Sequence, residues 1–402
     1  MRHTPSGVQW AEPTKVPIKA STACAPRRQA LLTSNPLKST ATKGFLLCKI
    51  SKKLLLFYAQ QPSFVAQLVL LVAYIPPHVE ENEIKNVILF IDDGMGENHI
   101  ENALTHFELD TPNFFQGRRG SIATRSADNL ITDSAAGATA LATGHKVNNG
   151  EVAYHNGENL TSLSELALTA GKKVGIVTTD GLNGATPASF SSHAKNRGDG
   201  EEIVQGQATS GIHLFIGETG SGAYENYAPL FTENGYEFAT TPEEMTDLSN
   251  SQKLITTIPN PRSQYLAGFE QCYQLKEMVS FALDFLENEN GYFLMIEGAY
   301  IDKFSHNNDI IPALCETRSL IDCMSFLYET VSDDTALILT ADHETGGLRK
   351  ATTKEEIANN LYLFDGHTAA NVPLFIKNFT YTYNGTPQNT EIFNLCKTLL
   401  KI

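Results

Sequence analysis

Six short segments of this 402-residue chain carry residue types able to hold cations, an anion or a nucleophile. Asp92-Asp93-Gly94-Met95-Gly96 offers two carboxylates beside glycines that let the backbone turn tightly, although Asp-Gly after a strand is commonly a plain turn. Thr132-Asp133-Ser134 runs into an Ala/Gly-rich stretch. If Ser134 opens a helix, its hydroxyl sits at the positive end of the dipole; the ordinary reading is an N-cap serine. Thr186, followed by Arg197, brings a planar fork of donors suited to phosphate, or else a solvated loop arginine. Glu297 leads to Asp302 and His306, four apart, which a helix places on one face as a zinc half-site or as a surface ion pair. Asp342-His343 supplies two further ligand types without the HExxH spacing, and His367 a third imidazole. Each segment has a bland reading alone; their joint occurrence fits two or three metal sites, a nucleophile and an anion clamp.

The elements around them alternate. Continuous apolar runs at 86–92, 173–178, 292–296, 336–340 and 372–376 read as buried strands, and 160–170, 275–286, 310–329 and 391–400 as helices. Residues 198–275 are Gly/Asn/Thr-rich and read as an irregular elaboration over one edge. This rhythm predicts an α/β fold, a three-layer α/β/α sandwich with a largely parallel central sheet. Chemistry in such folds gathers at the carboxyl ends of strands, and the six segments fall at strand ends or in adjacent loops.

The acidic charge balance fits either a solvated surface or cation binding. The chain has 30 Lys+Arg against 45 Asp+Glu, a net of −15, which argues against nucleic acid as a partner. Residues 1–79 hold ten of the basic residues and one acid, so residues 80–402 carry 20 basic and 44 acidic residues, a net of −24. The shift marks a boundary: a poorly structured leader over 1–80 and one catalytic domain over 81–402. Within the leader, segment 49–75 pairs a basic flank with a 12-residue apolar run at 64–75, as in a signal peptide. Export to a periplasmic or extracellular location is the expectation; a transit segment, or a membrane anchor if 64–75 is retained, are the alternatives. The six cysteines form no CxxC, so a cysteine zinc site is not expected. Either disulfides or buried thiols are compatible with them.

In order and wording, TDSAAGATA, IEGAYIDKFSH and LTADHETGG, with DDGMG and GHT, resemble the alkaline phosphatase family from about Lys85 to the C-terminus. The resemblance implies a metal-dependent phosphomonoesterase with phosphate monoesters as substrates, and possible homodimers. It implies that Ser134 becomes phosphoserine and that Asp302, His306 and His367 hold one zinc. Asp93, Asp342 and His343 hold a second zinc; Asp93, Thr186 and Glu297 hold a magnesium. Arg197 grips phosphate, Asp133 orients it, and two inversions give net retention at phosphorus. Spacings of 24 positions between His343 and His367, and 100 between Arg197 and Glu297, resemble compact bacterial members with an open site.

Three departures from the family pattern stand out. Asp92 replaces a common glycine and is expected to point away from the metals. Gly184 stands where relatives carry His or Asp, which weakens the case for magnesium. Lys303 therefore lacks an expected acidic partner and is free to meet phosphate. The rival readings are a phosphodiesterase or other hydrolase of the wider superfamily, and a phosphate- or metal-binding protein without turnover.

Overall fold

The computed structural model describes residues 80–81, 83–218, 223–359 and 361–402. The leader and its 49–75 segment lie outside the described residues. In chain order the elements are β1 (Glu80–Glu81), β2 (Asn86–Asp92), α1 (Glu97–Phe107), β3 (Arg118–Ile122), α2 (Ser134–Thr143), β4 (Tyr154–His155), β5 (Glu158–Asn159) and α3 (Leu163–Thr169). Then follow β6 (Lys173–Gly181), α4 (Ala185–Ser191), α5 (Gly200–Thr209), β7 (Leu214–Glu218), α6 (Ala223–Glu233), β8 (Glu237–Ala239), α7 (Pro242–Asp247) and β9 (Leu254–Ile258). The rest comprises α8 (Leu275–Leu286), β10 (Tyr292–Gly298), α9 (Tyr300–His306), α10 (Ile310–Thr330), β11 (Thr335–Thr340), β12 (Glu344–Thr345), α11 (Lys354–Ile357), β13 (His367–Thr368), β14 (Val372–Lys377), β15 (Phe379–Thr380) and α12 (Thr390–Leu400).

Nine strands form one sheet in the order β3-β14-β11-β2-β10-β6-β7-β9-β8, and β14 alone runs against the rest. β10 and β11 are buried at every residue, and β2 at all but its first. Strands buried on both faces need cover on both, which is why they read as unbroken apolar runs. The cover comes from two helical sets: α1, α8, α9 and α10 pack among themselves, as do α2, α3, α4 and α12.

The helix expected at 160–170 starts at Leu163, because the Ser162 hydroxyl accepts from the Glu165 amide while Glu165 reaches back to cap Ser162. A larger correction concerns residues 198–275. They extend the sheet by β7, β8 and β9 and add three helices. These strands have three to five residues each and include Gly217, Thr256 and Thr257, so neither length nor apolar run announces them. The four cysteines among the described residues are free thiols, three of them buried. No helix among the described residues is long and apolar enough to cross a membrane.

Candidate active site

Four adjacent strands, β11-β2-β10-β6, end side by side, and the loops after β11, β2 and β10 are stitched together by main-chain bonds. Asp93 N–H donates to Gly298 O (2.9 Å), Asp302 N–H to Asp93 O (3.1 Å) and Thr345 N–H to Gly94 O (3.0 Å). Gly94 makes this possible: it has φ 78°, and a Cβ there would lie 2.7 Å from Asp302 Cα. On the opposite wall, a Cβ at Gly137 would meet Asp342 O at 2.8 Å, so only glycine lets α2 approach the Asp342-His343 turn. That approach seats Ser134, the first residue of α2, with Oγ 3.2 Å from His343 Nε2. The N-cap is Asp133, not Ser134, which leaves the serine hydroxyl to face the cleft.

Two ligand groups converge there. Donor atoms of Asp302, His306 and His367 lie within 4.8 Å of one another, and so do those of Asp93, Asp342 and His343. The hydrogen bonds fix the imidazoles. His306 Nδ1–H donates to Asp365 O (2.7 Å) and His367 Nδ1–H to Thr132 O (2.9 Å). Thr345 donates its hydroxyl proton to Asp302 Oδ1 (2.5 Å), so it accepts from His343 Nδ1–H (3.2 Å). All three rings therefore turn a bare Nε2 inward. His306 and His367 Nε2 stand 3.0 Å apart, two lone pairs that attract only through a shared cation or proton. His343 Nε2 lies 3.2 Å from Asp93 Oδ1 and 3.4 Å from Asp342 Oδ2, and both carboxylate oxygens are buried without a hydrogen-bond partner.

Without a cation these charges are costly. Burial, then the charge of Asp302, pushes Asp342 up to about 7. Burial and Asp342 raise Asp93 well above the usual carboxylate range. Burial, and next His367, pull His343 well below the usual imidazole range, so it is a neutral ligand. Neutral imidazoles with carboxylates are the donor set of zinc. The residues present fit two such ions.

A third, all-oxygen group lies beside them. Glu297, 1% exposed, accepts from the Thr178 hydroxyl, and the buried Thr186 Oγ1 beside it has no well-formed hydrogen bond. Burial, then the charge of Asp180, pushes Glu297 up to about 8. Oxygen-only donors suit a hard cation such as magnesium. Arg197 donates from Nη1 to Asp133 Oδ2 (3.2 Å), while Asp133 Oδ1 caps α2 through the Ala136 amide. One carboxylate thus ties the half-exposed guanidinium to the helix that carries Ser134.

Every residue expected from sequence falls in or beside this cleft, with one correction. Lys303 does not lack an acidic partner: it pairs with Asp180, at the end of β6. A Cβ at Gly184 would come within 3.0 Å of Asp180 Oδ2, so the glycine makes room for a carboxylate displaced four positions along the chain. As expected, Asp92 points away and lines a small cavity with Arg262, Tyr300 and Glu316. Sequence reasoning missed Thr178, Asp180 and Thr345. Thr345 sits two residues past His343, the spacing at which an extended chain repeats a face.

Comparison with known proteins gives a concordant result. The family model described as Alkaline phosphatase matches residues 84–215 and 225–400. Alkaline phosphatase 4 of Bacillus subtilis is 33% identical over 290 residues, covering 67% of this chain and 63% of that protein. The alkaline phosphatase of Schizosaccharomyces pombe is 34% identical over 308 residues, covering 66% and 56%. The chain thus spans less than two thirds of the length of these curated relatives. The solved alkaline phosphatase of the Antarctic bacterium TAB5 superposes with a TM-score of 0.71 at 29% identity, covering 80% of this chain and 99% of that one. A His 135 Glu mutant of the TAB5 enzyme, described with Mg bound in its M3 site, superposes with a TM-score of 0.69 at 28% identity, covering the same shares.

Proposed function

The chain belongs to the alkaline phosphatase family, and we propose that it hydrolyses phosphate monoesters to an alcohol and inorganic phosphate through a phosphoserine on Ser134. The observation that carries this reading is Ser134 Oγ at 3.2 Å from the bare Nε2 of His343, inside a ligand group whose buried oxygens lack partners. Zinc held by Asp93, Asp342 and His343, zinc held by Asp302, His306 and His367, and magnesium held by Asp93, Thr186 and Glu297 would supply charge for the attacking and leaving oxygens.

The chain's own residues do the rest. Ser134 sits at the positive end of α2, where developing negative charge is favoured. Its Oγ attacks phosphorus in line and the ester oxygen departs. Arg197, aimed by Asp133, offers its remaining N–H groups to the equatorial oxygens. Water then displaces Ser134 from the opposite side, so two inversions give retention at phosphorus. Lys303 stands at the rim as a further cation. Export follows from the basic and apolar segment at 49–75 and is part of the proposal.

The deciding experiment compares wild type with Ser134→Ala on a monoester and a diester, with and without chelator, alongside metal analysis. Monoester turnover that vanishes in the variant and on chelation is expected. Wild type inactive with zinc bound, or preferring the diester, overturns the reading.

A further inference from the structure

Lys303 is held from two directions, and one of them originates in the 198–275 part of the chain, whose sequence read as irregular. Arg262, in the loop after β9, pairs with Glu218 at the end of β7 (3.0 Å), both largely buried. The guanidinium carbon of Arg262 lies 3.3 Å from the ring centroid of Tyr300, whose hydroxyl donates to the other oxygen of Glu218 (2.6 Å). Tyr300 is thereby locked in place at the start of α9. The Lys303 ammonium lies 4.3 Å from the centroid of the same ring and pairs with Asp180. Asp180 in turn needs the room left by Gly184. Lys303 has the most exposed side chain of the group, at 39%, on a flexible four-carbon stem, next in sequence to Asp302.

We propose that Tyr300, braced by Glu218 and Arg262, is a positioning residue that keeps the Lys303 ammonium on Asp180 and away from bound phosphate, so that the cleft holds inorganic phosphate weakly and releases it readily. The idea rests on the phosphomonoesterase reading above. An ammonium over an aromatic face is stabilised by the ring quadrupole, and removing the ring removes that restraint. Lys303 then adds its charge to Arg197 at the anion.

The test uses the full chain loaded with its cations. Phosphate affinity is measured by calorimetry, and KM, kcat and phosphate inhibition on a monoester. Tyr300→Leu is expected to tighten phosphate on the order of three- to ten-fold, the scale of a lost cation–aromatic contact, with KM and kcat falling together. Tyr300→Phe, which keeps the ring but loses the hydroxyl bond to Glu218, is expected to fall between wild type and Tyr300→Leu. Tyr300→Leu combined with Lys303→Ala is expected to show no tightening relative to Lys303→Ala alone. Phosphate affinity unchanged or weakened in Tyr300→Leu, or tightened equally without Lys303, overturns the proposal. Should Tyr300→Leu fail to fold, Arg262→Gln removes the brace and is judged by the same criteria. Calorimetry reads phosphate binding without turnover, so an inactive wild type sinks the phosphomonoesterase reading and leaves this comparison to be judged separately.

Discussion

The two histidine-bearing ligand groups share a cleft but differ in construction. Asp93, Asp342 and His343 are all buried, and they come from two strand ends joined within the sheet core. Asp302, His306 and His367 range from buried to exposed, and His367 arrives on a two-stranded antiparallel sheet outside the main one. Their outer hydrogen bonds differ too. His306 and His367 are oriented by loop carbonyls, His343 by the Thr345 hydroxyl. Burial amplifies electrostatics, whereas a rim position leaves a group open to water. Under the proposed function the buried group would act on a fixed partner, Ser134, and the rim group on a changing one.

The sharpest way to break this division is Ser134→Ala. Turnover should fall by at least about 10³-fold, as for lost nucleophiles elsewhere, while zinc content and melting temperature stay unchanged. A loss of zinc together with turnover would mean that the serine belongs to the ligand group. Thr345→Val comes next, because Thr345 bonds both Asp302 and His343. Cation affinity should drop by about 10- to 100-fold, as for other lost outer hydrogen bonds, and equilibrium dialysis will show whether both groups weaken. Weakening of one alone would show the bridge to be idle toward the other. Chelation should then separate the groups in time. The exposed set is expected to empty first, with activity lost before the melting temperature drops; simultaneous release would erase the distinction.

The smallest effect is in pH. Asp342 and Glu297 have folded-state values raised to about 7 and about 8 in the cation-free protein. Raised acids bind more protons folded than unfolded, so the cation-free protein loses stability as pH climbs from the ordinary carboxylate range toward 8. The gain in melting temperature on adding zinc and magnesium should therefore widen between pH 5 and pH 8. A gain independent of pH would place the missing protons elsewhere.

Legibility followed the physics of burial. β2, β10 and β11 pack on both faces, so their residues had to be unbroken apolar runs, and their ends had to be polar and glycine-bearing. Asp93, Asp302, His306, Asp342, His343 and His367 were visible for that reason. β7, β8 and β9 lie toward the sheet edge, are short and tolerate Gly and Thr, so no periodicity marked them. Asp180 was invisible because its importance depends on what Gly184 lacks. A missing side chain is legible at its own position, but what fills the space is not.

The sequence by itself determined the α/β architecture and the ligand types, which are set by local pattern: apolar runs, helical spacing, and the chemistry of Asp and His. Ser134 stood out as the candidate nucleophile only through the family resemblance. Tertiary structure decided which imidazole nitrogen faces inward, which carboxylate meets Lys303, and that Glu218 and Arg262 reach α9 across 82 and 38 positions of chain to Tyr300. Those outcomes depend on distances of about 3 Å between residues far apart in the chain, the length scale of a hydrogen bond, and no linear pattern encodes them.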